Sequence, residues 1–174
     1  MTTYPYDEVY NSAVRLKAAF LEAESRGQWS WIAEAFYHDD AEYFCPYGGL
    51  MPVLARGVAE IAATHYGRDM EVGAAWKGWQ FPITHISVNG NQIINRWVNR
   101  GPGQRADGSF YETQGVSFIT YGGGGKFSSQ YDLFDIVHQM GLCDELKAAG
   151  LLDPALEAQW VVPMKARIAE AVAN

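Results

Sequence analysis

Polar and apolar residues are interspersed along residues 81–133 so that neither face of a strand would be cleanly apolar, and turn-forming residues divide this stretch into four runs. The runs are typical of β-strands and cover residues 81–88, 92–100, 109–121 and 127–133. Asn89-Gly90 predicts a tight hairpin between the first two strands. Gly101-Pro102-Gly103 with Asp107-Gly108 marks the second turn, and the glycines at 122–125 mark the third. Three hairpins in a row predict an antiparallel meander. A strand of ten residues extends about 33 Å, which is long enough to curve around a cavity.

Apolar residues three or four positions apart predict helices on both sides of this meander. In residues 7–26 they form one stripe, and Gly27 ends the helix. The other predicted elements are helices over residues 30–37, 57–65, 134–146 and 154–173, a polar turn at 38–40, a strand over 41–45 that Pro46-Tyr47-Gly48-Gly49 breaks, and a loop over 66–78. Asp153-Pro154 is the predicted start of the last helix, which Pro163 should kink or split.

Helices grouped apart from antiparallel strands predict an α+β fold, with helices covering one face of a curved sheet. The length of 174 residues fits a single domain. We assign residues 1–142 to the α+β core and residues 143–174 to a C-terminal helical extension of the same domain. That extension would either cover a pocket or pack across a dimer.

Composition narrows the possible partners. Aromatic residues make up 14% of the chain, which fits either a large core or an aromatic-walled cavity. The net charge of −7 argues against nucleic acid or an anionic membrane as a partner. Cys45 and Cys143 are too few for a disulfide framework and lack metal-ligand spacing. The first residues lack the pattern of a signal peptide, and no apolar run has membrane-spanning length, so we expect a cytoplasmic protein.

Several short segments, taken in order, resemble one known superfamily. They are residues 36–43 (FYHDDAEY), 46–48 (PYG), the helix that Gly57 opens, the Asn89-Gly90 hairpin, and residues 115–118 (GVSF), 125–127 (GKF) and 130–135 (QYDLFD). With these segments, residues 6–142 resemble the nuclear transport factor 2-like, or SnoaL-like, superfamily. The resemblance implies a cone in which a bent sheet wraps around helices and encloses a deep pocket. It also implies a homodimer formed through the outer face of the sheet.

Members of this superfamily include enzymes and proteins that only bind, so the fold does not settle the function. The resemblance places seven side chains inside the cone: Trp97, Asn99, Tyr111, Thr113, Ser117, Gln130 and Asp132. The catalytic groups of ketosteroid isomerase are replaced here by Phe20, Cys45 and a residue at or beside Ser117. Limonene epoxide hydrolase is a closer match, because its water-holding tyrosine corresponds to Tyr43 and its aspartate base to Asp132. Its three other polar groups correspond to Cys45, Trp97 and Asn99.

Asp132 is therefore the leading candidate for a general base, because an acid on the inner face of a central strand has a raised pKa. Tyr43 would orient a water or a substrate oxygen, and Asn99 would donate a hydrogen bond to developing charge. The candidate substrate-binding residues are Trp97, Tyr111, Cys45, Phe20, Ser117 and Gln130. The alternatives are an Asp132 that faces solvent, a Tyr43 that belongs to the core, and an Asn99 at a strand end.

The histidines and Cys45 are weaker candidates. His85 lies several residues from the superfamily's catalytic histidine, which favours a structural role. His65 and His138 lie on predicted helices without acidic partners at a spacing that suggests a metal. The acidic residues beside His38 are best explained as a solvated turn. Cys45 lacks an obvious base and is predicted to line the pocket.

Two functions remain open beside each other. One is a metal- and cofactor-independent enzyme that hydrates, dehydrates, isomerises or cyclises a small, apolar, oxygenated molecule. The other is a non-catalytic module that binds a small ligand or a protein through the same fold.

Overall fold

The computed structural model describes residues 4–68, 70, 76 and 78–173. The helices are α1 (Tyr6–Arg26), α2 (Trp31–Phe36), α3 (Gly57–Ile61), α4 (Ile136–Ala148), α5 (Pro154–Leu156) and α6 (Val162–Ala173). Helix α3 continues as a π-helical segment, Ala62–Arg68, and a second π-helical segment, Glu157–Val161, joins α5 to α6. The strands are β1 (Tyr37–Cys45), β2 (Val53–Arg56), β3 (Ile83–Asn89), β4 (Gln92–Gln104), β5 (Phe110–Gly123) and β6 (Lys126–Phe134).

The six strands form one curved, unclosed sheet in the order β2-β1-β6-β5-β4-β3. The predicted antiparallel meander from β3 to β6 is confirmed. Strand β1 joins it in parallel with β6, which makes the sheet mixed. The α+β class is therefore confirmed, with the N-terminal helices against the sheet.

Helix α1 follows the predicted pattern closely. Val9, Ala13, Leu16 and Phe20 are all buried and lie on one stripe. Gly27 ends the helix in the left-handed conformation with φ of 64°, which a residue without a Cβ adopts at little cost. This stripe supplies one wall of the core that the curved sheet surrounds.

One predicted turn is wrong and a second is right only in part. Residues 38–40 lie within β1 rather than in a turn, at an irregularity where the pairing with β6 shifts between Tyr37 and Glu42. In the second turn, residues 101–103 lie within β4, whereas Asp107-Gly108 does belong to the turn, in which the Gly108 amide donates to the Arg105 carbonyl at 2.9 Å. A Cβ on Gly101 would lie 2.7 Å from Leu146, so this glycine serves close packing against α4.

The first hairpin and the chain before it also differ in detail. Its two turn residues are Gly90 and Asn91, one position later than predicted, because Asn89 still pairs with Gln92. Strand β2 was not predicted, and the third helix runs on to Arg68, into the predicted loop over residues 66–78. Residues 69, 71–75 and 77 of that loop lie outside the described part of the chain.

The C-terminal helices begin as predicted. Asp153 accepts a hydrogen bond from the Ala155 amide, and Pro154 occupies the first helical position. Pro163 is the second residue of α6, directly after the π-helical segment that interrupts the predicted helix, and the backbone stays helical at Leu156 and Val162. Leu156, Val161 and Met164 are buried and belong to the same core as the rest of the chain. Among the described residues, no helix is both long enough and apolar enough to cross a bilayer.

Candidate active site

A cavity, here called the inner cavity, lies between α1, the segment after α3 and the sheet. Its wall is formed by Leu16, Phe20, Tyr43, Cys45, Tyr47, His65, Met70, Trp76, Phe81, Ile83, Asn95, Trp97, Asn99, Ser117, Ile119, Gln130, Asp132, Phe134 and Trp160. The volume of this cavity is about 70 Å³. It has room for a small molecule or about five waters. Most of the wall is apolar, and most of its polar side chains come from the strands, with His65 and Tyr47 as exceptions.

Asp132 is the acid of this cavity. Only 5% of its surface is exposed, so its charge is largely removed from water. Burial raises the pKa of Asp132 to about 6, although hydrogen bonds from Ser117, Gln130 and Tyr43 act in the opposite direction. The Tyr43 hydroxyl donates to Oδ2 at 3.1 Å, and the Gln130 amide donates to Oδ1 at 2.9 Å and to Oδ2 at 3.1 Å.

Strand pairing explains why these side chains meet. Alternate residues of a strand share a face, so Gln130 and Asp132 point to the same side of β6. Tyr43 is the parallel partner of Gln130 in β1, and Ser117 is the antiparallel partner of Asp132 in β5. The parallel pairing of β1 with β6, which the sequence does not reveal, therefore places Tyr43 beside Asp132.

A chain of hydroxyl groups holds Gln130 in place. The Tyr37 hydroxyl donates to Oε1 of Gln130, which leaves the amide nitrogen of Gln130 directed at Asp132. The Tyr66 hydroxyl lies 3.1 Å from that of Tyr37 and extends the chain. Burial raises the pKa of both tyrosines, so both remain protonated at neutral pH. The donors around Asp132 are thus fixed before any ligand binds.

His65 is the functional candidate that the sequence reading missed. Its ring stacks on Tyr43 with centroids 4.0 Å apart, and its Nε2 lies 3.9 Å from Oδ2 of Asp132. This distance is too long for a hydrogen bond. Burial, and secondly the charge of Arg68, lower the pKa of His65 to about 3, so the ring is neutral at neutral pH. Within the described part of the chain, its buried Nε2 has no hydrogen-bond partner.

One sequence signal could have found His65. It follows Ile61 by four residues, and Ile61 belongs to the buried face of the helix. Its proximity to Asp132 has no such signal, because the two residues are 67 positions apart along the chain.

The predicted substrate-binding residues fall into two groups. Phe20, Cys45, Trp97, Ser117 and Gln130 all line the inner cavity. Tyr111 does not: it is buried elsewhere, with the guanidinium carbon of Arg105 4.6 Å from the centre of its ring. The inward face of β5 extends beyond the cavity, which is why Tyr111 shares that face without reaching the site.

Trp97 is held across the sheet by its own hydrogen bond. Its indole Nε1 donates to the Ser117 hydroxyl at 2.8 Å. A Cβ on Gly115 would lie 2.2 Å from the Trp97 ring, so the absence of a side chain there makes room for the indole. The Trp97 ring covers Gly115 and forms an apolar part of the cavity wall that also contains Asp132.

Asn99 lines the inner cavity, but its amide nitrogen donates to Oε1 of Gln139 in α4 at 3.2 Å. Gln139 also accepts a hydrogen bond from Thr113. Asn99 therefore serves as a structural link between the sheet and α4 as well as a cavity residue.

The other titratable candidates lie apart from the site. His85 and His138 are exposed, and His38 contacts the Gly123 carbonyl at 3.2 Å. No group of three His, Cys, Asp or Glu side chains that could hold a metal ion is present among the described residues. The chemistry that the site offers directly is proton transfer at Asp132, with Tyr43 and His65 beside it.

Comparison with known proteins shows which family this chain resembles. The family model for the SnoaL-like domain matches residues 18–130. No curated protein sequence matches the chain. Structural similarity is wide but distant, and identities this low show the fold alone.

Three solved structures illustrate that similarity. TerC, co-crystallised with polyporic acid, is 18% identical with a TM-score of 0.56, and the match covers 78% of this chain and 97% of TerC. A protein from Jannaschia sp. CCS1 that carries the name SnoaL-like polyketide cyclase is 12% identical with a TM-score of 0.56, over 82% of this chain and 96% of that one. TsrD from Streptomyces laurentii is 18% identical with a TM-score of 0.53, over 76% and 94%. With its cone-shaped fold and the match over most of its length, this chain belongs to the family of proteins with a SnoaL-like domain.

Proposed function

We propose that this protein is an enzyme that moves a proton within a small, largely apolar, oxygenated substrate, with Asp132 as the general base. The observation that carries the proposal is a buried carboxylate at a cavity wall whose pKa is raised to about 6. A base with such a pKa is mostly ionised at neutral pH and still holds a proton strongly enough to remove one from a carbon acid or a water.

The surrounding groups fit successive needs of such a reaction. Asp132 would take the proton on a carboxylate oxygen, while the fixed donors Tyr43 and Gln130 keep the carboxylate in one orientation. The Nε2 atom of the neutral His65 ring lies beside Oδ2 and has no hydrogen-bond partner among the described residues, so it can hydrogen-bond to an oxygen atom of the substrate. The apolar wall excludes water and strengthens these interactions. Hydration, dehydration, isomerisation and cyclisation all include a proton transfer of this kind.

The fold of related proteins supports a small organic ligand. TerC, which shares the fold, was crystallised with polyporic acid, and another protein of this fold carries the name polyketide cyclase. The resemblance, however, implies that the catalytic groups of ketosteroid isomerase are replaced here by Phe20, Cys45 and a residue at or beside Ser117. A module that binds such a ligand without converting it is therefore the alternative that an experiment must separate.

Ring opening of 5-nitrobenzisoxazole tests the base without knowledge of the natural substrate. The base removes the proton from C3, the N–O bond breaks, and a coloured cyanophenolate forms. We expect a rate above that of a small carboxylate in solution, which rises with pH through about 6 and then stays level, because Asp132 must be ionised.

Asp132→Asn should lower this rate by at least about a hundredfold, since a positioned general base contributes roughly 10²–10⁴. Asp40→Asn removes the same charge from an exposed position of β1 and serves as the matched control. Equal rates for the wild type and Asp132→Asn, with both proteins folded, would refute the proposed role and favour the binding module.

A further inference from the structure

A second cavity, here called the outer cavity, adjoins the inner one. It is lined by the loop over residues 47–53, by Arg68 and Trp76, and by Leu156, Gln159, Trp160 and Arg167 of the C-terminal helices. The volume of the outer cavity is about 450 Å³, compared with about 70 Å³ for the inner cavity. The outer cavity is thus large enough for a substantial part of an organic molecule.

The two cavities share an aromatic wall. Tyr47, Trp76 and Trp160 line both of them. The Trp160 ring lies 6.2 Å from that of Tyr47 and 5.2 Å from that of Trp76, measured between centroids. The inner cavity, with Asp132, and the outer cavity therefore adjoin at these three side chains.

The described residues that line the outer cavity include two charged side chains, and both are arginines. These are Arg68 and Arg167, in a chain whose net charge is −7. The Arg167 Nη1 donates to the Leu50 carbonyl at 3.0 Å, which holds the guanidinium at the rim. A guanidinium has five N–H donors, so this bond leaves it able to bind a carboxylate or phosphate as well.

We propose that the outer cavity binds an anionic oxygen group, a carboxylate or a phosphate, on a ligand whose apolar body contacts Tyr47, Trp76 and Trp160. This inference rests on the proposed function in one respect: the ligand is the substrate whose other end reaches Asp132. The apolar residues Leu50, Met51 and Val53 would contact the ligand body, and Arg68 and Arg167 would pair with its anionic group.

A second observation links Arg68 to the inner cavity. Its charge contributes, after burial, to lowering the pKa of His65. An anion bound at Arg68 would oppose this effect on the pKa of His65.

Three probes with one aromatic ring system test the proposal: 2-naphthoate, 2-naphthyl phosphate and the uncharged 2-naphthamide. Isothermal titration calorimetry at low salt should show at least one of the two anions binding about tenfold more tightly than the amide. Arg68→Gln and Arg167→Gln should each weaken binding of the preferred anion about threefold to fivefold, as expected for exposed charges, and leave binding of the amide unchanged. The preferred anion identifies the group, and its advantage should shrink as salt is added.

Arg26→Gln is the matched control, because it removes one arginine charge from the exposed end of α1, outside both cavities. It should leave all three affinities unchanged. Equal binding of amide and anions, no binding of either anion, or an equal loss in Arg26→Gln would overturn the proposal. Asp132→Asn should still bind the preferred anion more tightly than the amide. The experiments can therefore distinguish a wrong proposal for the general base from a wrong proposal for the anion site.

Discussion

Replacing Asp132 by asparagine should remove one pH-dependent contribution to the stability of the protein. The pKa of this carboxyl group is about 6 in the folded protein and 3.8 in its ordinary state. The folded state therefore holds the proton more tightly than the unfolded chain does. The bound proton contributes its full stabilisation to the wild type below about pH 3.8, and this stabilisation is lost as the pH rises through about 6.

The magnitude follows from the shift. A difference of about two pKa units corresponds to about 3 kcal/mol, at about 1.4 kcal/mol per unit. Asparagine has no proton to lose in this range. The free energy of unfolding of Asp132→Asn, relative to that of the wild type, should therefore rise by about 3 kcal/mol between about pH 3.5 and about pH 7.5.

Urea unfolding at a series of pH values, followed by tryptophan fluorescence, measures this difference. The asparagine side-chain amide also contacts the amide donor of Gln130, which lowers the free energy of unfolding by an amount that does not depend on pH. The informative quantity is therefore how the difference in free energy of unfolding changes with pH. Asp40→Asn provides the control for a general loss of negative charge, since exposed charges contribute at most about 1 kcal/mol. A difference between Asp132→Asn and the wild type that stays constant across this range would refute the raised pKa.

Two further predictions concern the residues around Asp132. Tyr43→Phe removes a hydrogen-bond donor that lowers the pKa of Asp132. The midpoint of the pH–rate profile for 5-nitrobenzisoxazole should therefore move to a higher pH by about one unit. An unchanged midpoint would contradict the role of this hydrogen bond. Gly115→Ala puts a methyl group into the Trp97 ring and should destabilise the protein by about 1–3 kcal/mol in urea unfolding. Gly141→Ala, in α4 with open space around it, should instead stabilise by about 0.5–1 kcal/mol, and a Gly115→Ala variant as stable as the wild type would mean that Trp97 is not packed as described.

Much of the fold could be predicted from local patterns. The meander follows from its turn residues and the runs between them, and α1 follows from its apolar stripe. The turn predicted at 38–40 and the part of the second turn predicted at 101–103 are wrong because polar residues and glycine also serve other purposes. In this protein they accommodate an irregularity in β1 and the close approach of Leu146 to Gly101.

The site was predictable only in part. Asp132 and Tyr43 were found through a resemblance and then meet in the structure at 3.1 Å. His65 and the outer cavity were missed because they depend on contacts between distant segments, which periodicity does not reveal. Tyr111 shows the opposite error, since sharing a strand face with Ser117 did not bring it to the cavity. The expected homodimer and cytoplasmic location stay predictions.

The proton affinity of Asp132 tests the central claim most directly. The protein can be labelled with ¹³C at its aspartate carboxyl groups, and the Asp132 signal can be assigned by its loss in Asp132→Asn. A titration followed by NMR should show this signal with a midpoint near pH 6. A midpoint at or below the ordinary value of 3.8 would contradict the proposal that this carboxylate is a buried base.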